Sequence, residues 1–312
     1  MKRILIILAI LVPSLAGAQN LAGTYMVAQR DTCNLYADVY LPSPGSQTEI
    51  DGKAKPSVLF VFGGGFIIGS RNDKGYLPWF KILNDNGYGV VSVDYRLGLK
   101  GVKMQLDLFH IANTADLTKR AVEMGVEDVF AAVRYLLDNN VGIDANNLVI
   151  AGSSAGAMIT LSSVVETCTP TERTAILPAG YSFKGAMSFA GAIMTNTGIP
   201  KYQTPPPPQL LIHGTADGAV TYNKTVFGRR GMYGSSALVK DVLAKNGYPY
   251  CIYRYVGHSH DMAANFVATW PEQQLFLERN VVAGLPRTID ATVDDPFIPV
   301  IKALSVSVDD IY

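Results

Sequence analysis

The sequence predicts an α/β fold, a mostly parallel wound sheet flanked by helices with little chain left for a cap. Three observations carry that expectation. Short apolar runs of the doubly buried kind recur along the chain. Segments with apolar residues three and four apart separate them. Glycines stand where several of the runs end. The 312 residues are 48% hydrophobic and 17% charged, which suits a sizeable core and argues against global disorder.

The first stretch, "MKRILIILAILVPSLAGAQN", has Lys2 and Arg3 before an apolar run from Ile4 to Val12, then Pro13 and Ala16-Gly17-Ala18. This is the layout of a secretory signal over residues 1–18, cut after Ala18. The run is too short to span a bilayer, and no cysteine follows closely for a lipid anchor. The expectation is an exported protein, periplasmic or secreted, with one domain over residues 19–312 and no membrane anchor after cleavage.

"LYADVYLP" alternates and ends at a proline, which predicts an edge strand. Residues 42–56 read as a loop. Buried parallel strands are expected at "SVLFVF", "YGVVSVDY", "LVIAGS", "GAMSFAGA", "QLLIHG" and "YCIYRYV". Helical periodicity falls between them. "VEDVFAAVRYLLDNN" would place Glu127 and Asp128 in a first turn, where the helix dipole favours acids. "SSALVKDVLAKNG" closes on a glycine, and "WPEQQLFLERNVV" has a proline near its start. Residues 97–121 form a long connection, read as a flap over the site or as a surface excursion. The prolines Pro205 to Pro208 stiffen the entry to a strand.

Lysine plus arginine equals aspartate plus glutamate at 26 each, so no basic excess suggests a nucleic-acid partner. The three cysteines, Cys33, Cys168 and Cys251, allow at most one bridge.

Gly152-Ser153-Ser154-Ala155-Gly156 fits G-x-S-x-G between a strand and a helix. A tight bend there lifts one hydroxyl clear of the backbone. Ser154 occupies the centre and is the candidate nucleophile, and Ser153 lies one position off it. Small residues in such a bend also serve plain packing, so the partners must decide.

A serine needs a base, and the base an orienting acid. Asp217 follows the "QLLIHG" strand, where sites of wound sheets gather, and is the candidate acid. A turn-forming aspartate is the alternative. His213 ends that strand and is read as a brace for the turn that carries Asp217. His110 lies in the flap region. "YVGHSHDMA" offers two bases, and its four-residue run-out after Tyr255 favours His260 over His258. An H-x-H-D cluster could hold a metal, but no second cluster has ligand spacing, so no metal is expected. "VFGGGF" supplies amides for a developing oxyanion through Gly63, Gly64 and Gly65, and Ala155 adds another.

These motifs together resemble the α/β-hydrolase superfamily over the whole mature chain. The sequence is similar to carboxylesterases of the hormone-sensitive-lipase-like and feruloyl-esterase-like branches. "FGGGF" matches their oxyanion motif, "VDYRL" their D-Y-R segment, "GIDANNLVIAGSSAGAM" their nucleophile strand and elbow, and "LLIHGTADGAV" their acid turn. The resemblance implies cofactor-free hydrolysis of carboxylic esters by Ser154, Asp217 and His260, with Gly64, Gly65 and Ala155 as amide donors. It supports His260 over His258 as the base. Phe62 stands where the family usually has a histidine that braces the glycine loop, so a looser oxyanion hole or a changed pocket polarity is expected. Ala157 replaces a usual second glycine.

The expected substrate is a small-molecule or polysaccharide-linked ester, with acetyl and feruloyl groups on carbohydrate as candidates by analogy. Two other readings share the residues: a prolyl-oligopeptidase-like peptidase, and a catalytically silent hydrolase fold used for binding. Oligomeric state is left open.

Overall fold

The computed structural model describes residues 20–103 and 111–302. The expected signal segment, His110 and the middle of the expected flap lie outside the described residues.

Apart from a two-residue antiparallel pair, Glu49–Ile50 with Lys53–Ala54, inside the expected loop, the strands in chain order are β1 (Leu21–Gln29), β2 (Asn34–Tyr40), β3 (Ser57–Val61), β4 (Val90–Val93), β5 (Leu148–Ser153), β6 (Gly185–Phe189), β7 (Ala192–Thr195), β8 (Gln209–Gly214), β9 (Lys224–Phe227), β10 (Arg230–Gly234), β11 (Tyr250–Tyr255) and β12 (Ile289–Val293). Nine of them form one sheet in the order β1-β2-β4-β3-β5-β6-β8-β11-β12. The β1–β2 and β2–β4 pairs are antiparallel, and every later pair is parallel. The six apolar runs expected as buried strands supply β3, β4, β5, β6, β8 and β11. Residues of β5, β6 and β8 are buried throughout, as doubly covered parallel strands require.

The expected edge strand is not at the edge. β2 is paired on both sides, by β1 and by β4. Pro42 follows the end of β2 at Tyr40, so it removes no ladder bond. The edge is β1, whose side chains are mostly exposed or half-buried. A sheet rim needs no apolar run, so β1 carries little signal of its own.

The helices are α1 (Leu77–Asp85), α2 (Ile111–Asp138), α3 (Ala155–Cys168), α4 (Ser235–Leu238) and α5 (Trp270–Leu275). A wider π-turn and a 3₁₀ turn extend α4 to Gly247, which caps it with φ 68°. α2 begins well before the expected start, so Glu127 and Asp128 are interior and not in a first turn. Gly125 obscures this in the sequence. A Cβ there would meet Ile159 Cδ1 at 2.3 Å, because α3 packs against α2 at this point. The two acids pair with arginines instead. Asp128 is fully buried and receives Arg96 Nε and Arg30 Nε, each at 2.9 Å. Arg96 belongs to the D-Y-R segment that follows β4, so this segment pins α2 to the sheet.

An aromatic cluster fills the layer between α1 and the sheet. Trp79 stacks on Phe266 with ring centroids 4.7 Å apart, and Phe266 also meets Phe189 and Phe60 edge-on. Cys168 and Cys251 are buried and Cys33 is exposed, and none is bridged. Burial pushes the Cys251 thiol up to about 11, the behaviour of an inert core cysteine. Among the described residues, no helix is long and apolar enough to cross a membrane.

Candidate active site

β3 and β5 are neighbours, with Val61 opposite Gly152. From β3 the chain goes to β4 on one side and then to β5 on the other. A crevice forms at the carboxyl edge of such a switch point. "GGGF" leaves β3 there, and the serine elbow leaves β5 beside it.

Ser154 has φ 51° and ψ −118°, a conformation that costs a non-glycine residue on the order of 1–3 kcal/mol. The surroundings enforce it. Its N–H donates to Phe189 O at 2.9 Å, and its carbonyl accepts from Met158 N at 3.0 Å as α3 begins. Two residues on, a Cβ at Gly156 would lie 2.1 Å from Val61 O, so only glycine lets α3 start this close to β3. The half-buried Ser154 side chain is thereby turned towards the crevice.

Ser154 Oγ lies 2.7 Å from His260 Nε2. His260 Nδ1 lies 2.8 Å from Asp217 Oδ2. A carboxylate only accepts, so Nδ1 carries the hydrogen and Nε2 is left to accept from the serine. His260 opens a 3₁₀ turn, His260–Ala263, after β11. Asp217 follows β8, and its Oδ1 accepts from Ala219 N and Val220 N at 2.9 Å each. Burial pushes the Asp217 carboxyl up, but hydrogen bonds from His213 and His260 outweigh it and hold the group well below the usual carboxylate range.

The two other described histidines do not reach Ser154 in this way. His213 Nε2 lies 3.1 Å from Asp217 Oδ2 and 3.1 Å from Val220 O, which puts its ring where the sequence suggests, against the acid turn. His258 Nδ1 lies 2.7 Å from Asp261 Oδ2, away from the Ser154–His260 contact. Asp261 Oδ1 also accepts from Ser259 N at 2.8 Å. The two rings of H-x-H-D therefore serve different carboxylates, and among the described residues no group of three or more His, Cys, Asp or Glu could hold a metal. Ser153 is buried, and its Oγ donates to Ala263 O at 2.7 Å.

The glycine loop lies against the elbow: a Cβ at Gly63 would sit 3.2 Å from Ser154 Cβ. Gly64 and Gly65 have φ 126° and 62°, and Gly64 O accepts from Ile67 N and Ile68 N at 3.0 Å. Gly64 and Gly65 continue this tight turn directly from Gly63, the loop residue that abuts the serine. Ala155 opens α3, where a backbone N–H has no acceptor within the helix.

The structure answers the missing histidine at Phe62. Tyr95 Oη donates to Phe62 O at 3.1 Å, and the two rings stack with centroids 4.4 Å apart. Gly63 N donates to Tyr76 Oη at 3.4 Å. Two phenols thus hydrogen-bond to the loop at the place where the imidazole is missing. Tyr76 was not singled out by sequence, and Tyr95 and Asp261 entered only as members of the D-Y-R and H-x-H-D motifs, without these partners. The phenols of Tyr95 and Tyr76 meet backbone atoms of the glycine loop, and no spacing rule encodes such contacts. A cavity of about 200 Å³ lies at the opposite edge of the sheet, by Ser57, Gly89 and Asn147, remote from Ser154.

Residues 15–197 match the model of the Carboxylesterase family. Gut esterase 1 of Caenorhabditis briggsae is 35% identical over 107 residues, 34% of this chain and 17% of that protein. Esterase E4 of Myzus persicae is 30% identical over 138 residues, 44% of this chain and 22% of that protein. The matched stretch thus spans about a fifth of the length of these curated relatives. A thermophilic esterase of Thermogutta terrifontis has the same fold, with TM-score 0.57 and 19% identity over 85% of this chain and 94% of that one. The family match takes in the glycine loop, the D-Y-R segment and the serine elbow and extends over more than half of the sequence, and on that ground the chain belongs to the carboxylesterase family.

Proposed function

We propose that this protein is an exported serine hydrolase that cleaves carboxylic esters through an acyl-enzyme. One observation carries the reading: a strained serine at a strand–helix bend, hydrogen-bonded to an imidazole whose other nitrogen meets a buried carboxylate. His260 takes the Ser154 proton as Ser154 Oγ attacks the ester carbonyl. Asp217 holds the ring in the required tautomer and supports the imidazolium. The amides of Gly64, Gly65 and Ala155 receive the oxyanion. His260 then protonates the departing alcohol, and water enters by the same route to release the acid.

Export is supported by the basic, apolar and small-residue order of residues 1–18. The substrate class we favour is acetyl or feruloyl esters of carbohydrate, supported by the resemblance to feruloyl-esterase-like sequences and by the export signal.

The test uses the mature chain with p-nitrophenyl acetate and a fluorophosphonate probe. Turnover and labelling are expected in the parent and absent in Ser154→Ala. A parent that is neither active nor labelled would defeat the hydrolase reading in favour of a silent binding fold. Faster cleavage of dipeptide amides than of esters would make it a peptidase. Product profiling on acetylated and feruloylated glycans, beside simple aryl esters, decides the substrate class.

A further inference from the structure

We propose that His213 is a positioning residue that tempers the pull of Asp217 on His260 by sharing the same carboxylate oxygen. The inference rests on the Ser154–His260–Asp217 reading above. Asp217 Oδ2 meets two imidazoles, His260 Nδ1 at 2.8 Å and His213 Nε2 at 3.1 Å. Val220 O, also 3.1 Å from His213 Nε2, can only accept, so that nitrogen carries a hydrogen divided between a carbonyl and the carboxylate. His213 Nδ1 is held at 2.8 Å by Ser235 Oγ, from the first residue of α4. The ring also meets Tyr222 edge-on at 5.6 Å. It is fully buried and cannot turn without losing these partners.

Bracing the acid turn does not require this arrangement. Oδ1 of Asp217 already holds the turn through the Ala219 and Val220 amides. The His213 donor is aimed at the other oxygen, the one that supports the imidazolium formed during catalysis. Each donor to a carboxylate disperses its charge, so a shared Oδ2 attracts the protonated His260 ring less than an unshared one. The groups facing this carboxylate are His213 from the end of β8, His260 from the 3₁₀ turn and the backbone amides of its own turn. His213 thus links the acid turn to α4 and weights the proton transfer at Ser154.

The experiment is the pH profile of kcat/KM on p-nitrophenyl acetate for the parent, His213→Phe and His213→Gln. In His213→Phe the unshared oxygen grips the imidazolium more tightly, so the acid limb is expected to move to higher pH by about 0.5 unit or more. His213→Gln keeps an amide donor and is expected to move the limb back towards the parent. Loss of rate or stability in both variants with the limb unmoved overturns the proposal and leaves a plain structural brace. Should His213→Phe fail to fold, Ser235→Ala releases Nδ1 and weakens the same donor, and the same upward direction is required of it. Parent turnover that survives Ser154→Ala would defeat the triad reading itself. Ser154-dependent turnover with an unmoved limb defeats only the role of His213.

Discussion

Ser153 Oγ donates to the carbonyl of Ala263 over 2.7 Å. The residue beside Ser154 thereby holds the far end of the turn that begins with His260. Two adjacent serines do different work. One meets the imidazole, and the other ties down the turn that carries it.

Ser154→Ala is expected to lower kcat on the order of 10⁶-fold. Ser153→Ala should cost about 1–3 kcal/mol of stability, because Ala263 O loses its buried donor. It should lower kcat far less than Ser154→Ala does. Steady-state kinetics beside urea denaturation separates the two. Loss of turnover in Ser153→Ala alone would reverse the assignment.

The histidines next to Ser259 are distinguished in the same way. His260→Gln removes the group 2.7 Å from Ser154 Oγ and should abolish nearly all turnover. His258→Gln breaks the contact with buried Asp261 and should cost about 1.5–3 kcal/mol, as for a hydrogen bond to a charged group. Its kcat, measured well below the new melting temperature, should stay much closer to the parent. The opposite ranking would pass the base role to His258.

Asp217 is held below the usual carboxylate range against the opposing effect of burial. A depressed carboxyl stabilises the fold at pH values above the unfolded value of about 4, and that contribution is lost as pH falls further. Chemical denaturation from pH 6 down to pH 3 should show the parent losing stability below about pH 4. Asp217→Asn should lack that component of the slope, and its kcat should fall by about 10⁴.

Tyr95→Phe removes the hydroxyl that meets Phe62 O and leaves that carbonyl without its phenol donor. A stability loss of about 1–3 kcal/mol is expected. If the phenol also holds the glycine loop in place, kcat should fall by up to about 10²-fold while KM changes little, as for a weakened oxyanion donor. An unchanged kcat would show that the loop keeps its shape without the phenol.

Much of the site was legible because its local bends are chemical necessities. A serine at a strand–helix bend needs small neighbours, and G-x-S-x-G records that need in five consecutive residues. The acid turn was legible for a similar reason, since Asp217 caps its own turn through Ala219 and Val220. The start of α2 was not. Gly125 reads as a break in isolation, and only the approach of α3 explains why a helix keeps it. The place of β2 was not legible either, because an alternating strand beside a proline looks the same at a rim as one position inside it.

The amino-acid order by itself determined the wound sheet, the elbow serine, the glycine loop and the position of the acid. Each depends on residues close together in the chain, where backbone sterics and hydrophobic periodicity act directly. Tertiary structure decided which histidine meets Ser154, that Ser153 anchors the opposite turn, and that Tyr95 and Tyr76 brace the loop. Those contacts join residues that lie far apart in sequence, and the choice between His258 and His260 falls on two rings only two positions apart. Only the packing of separate strands and loops brings their polar atoms within hydrogen-bonding distance.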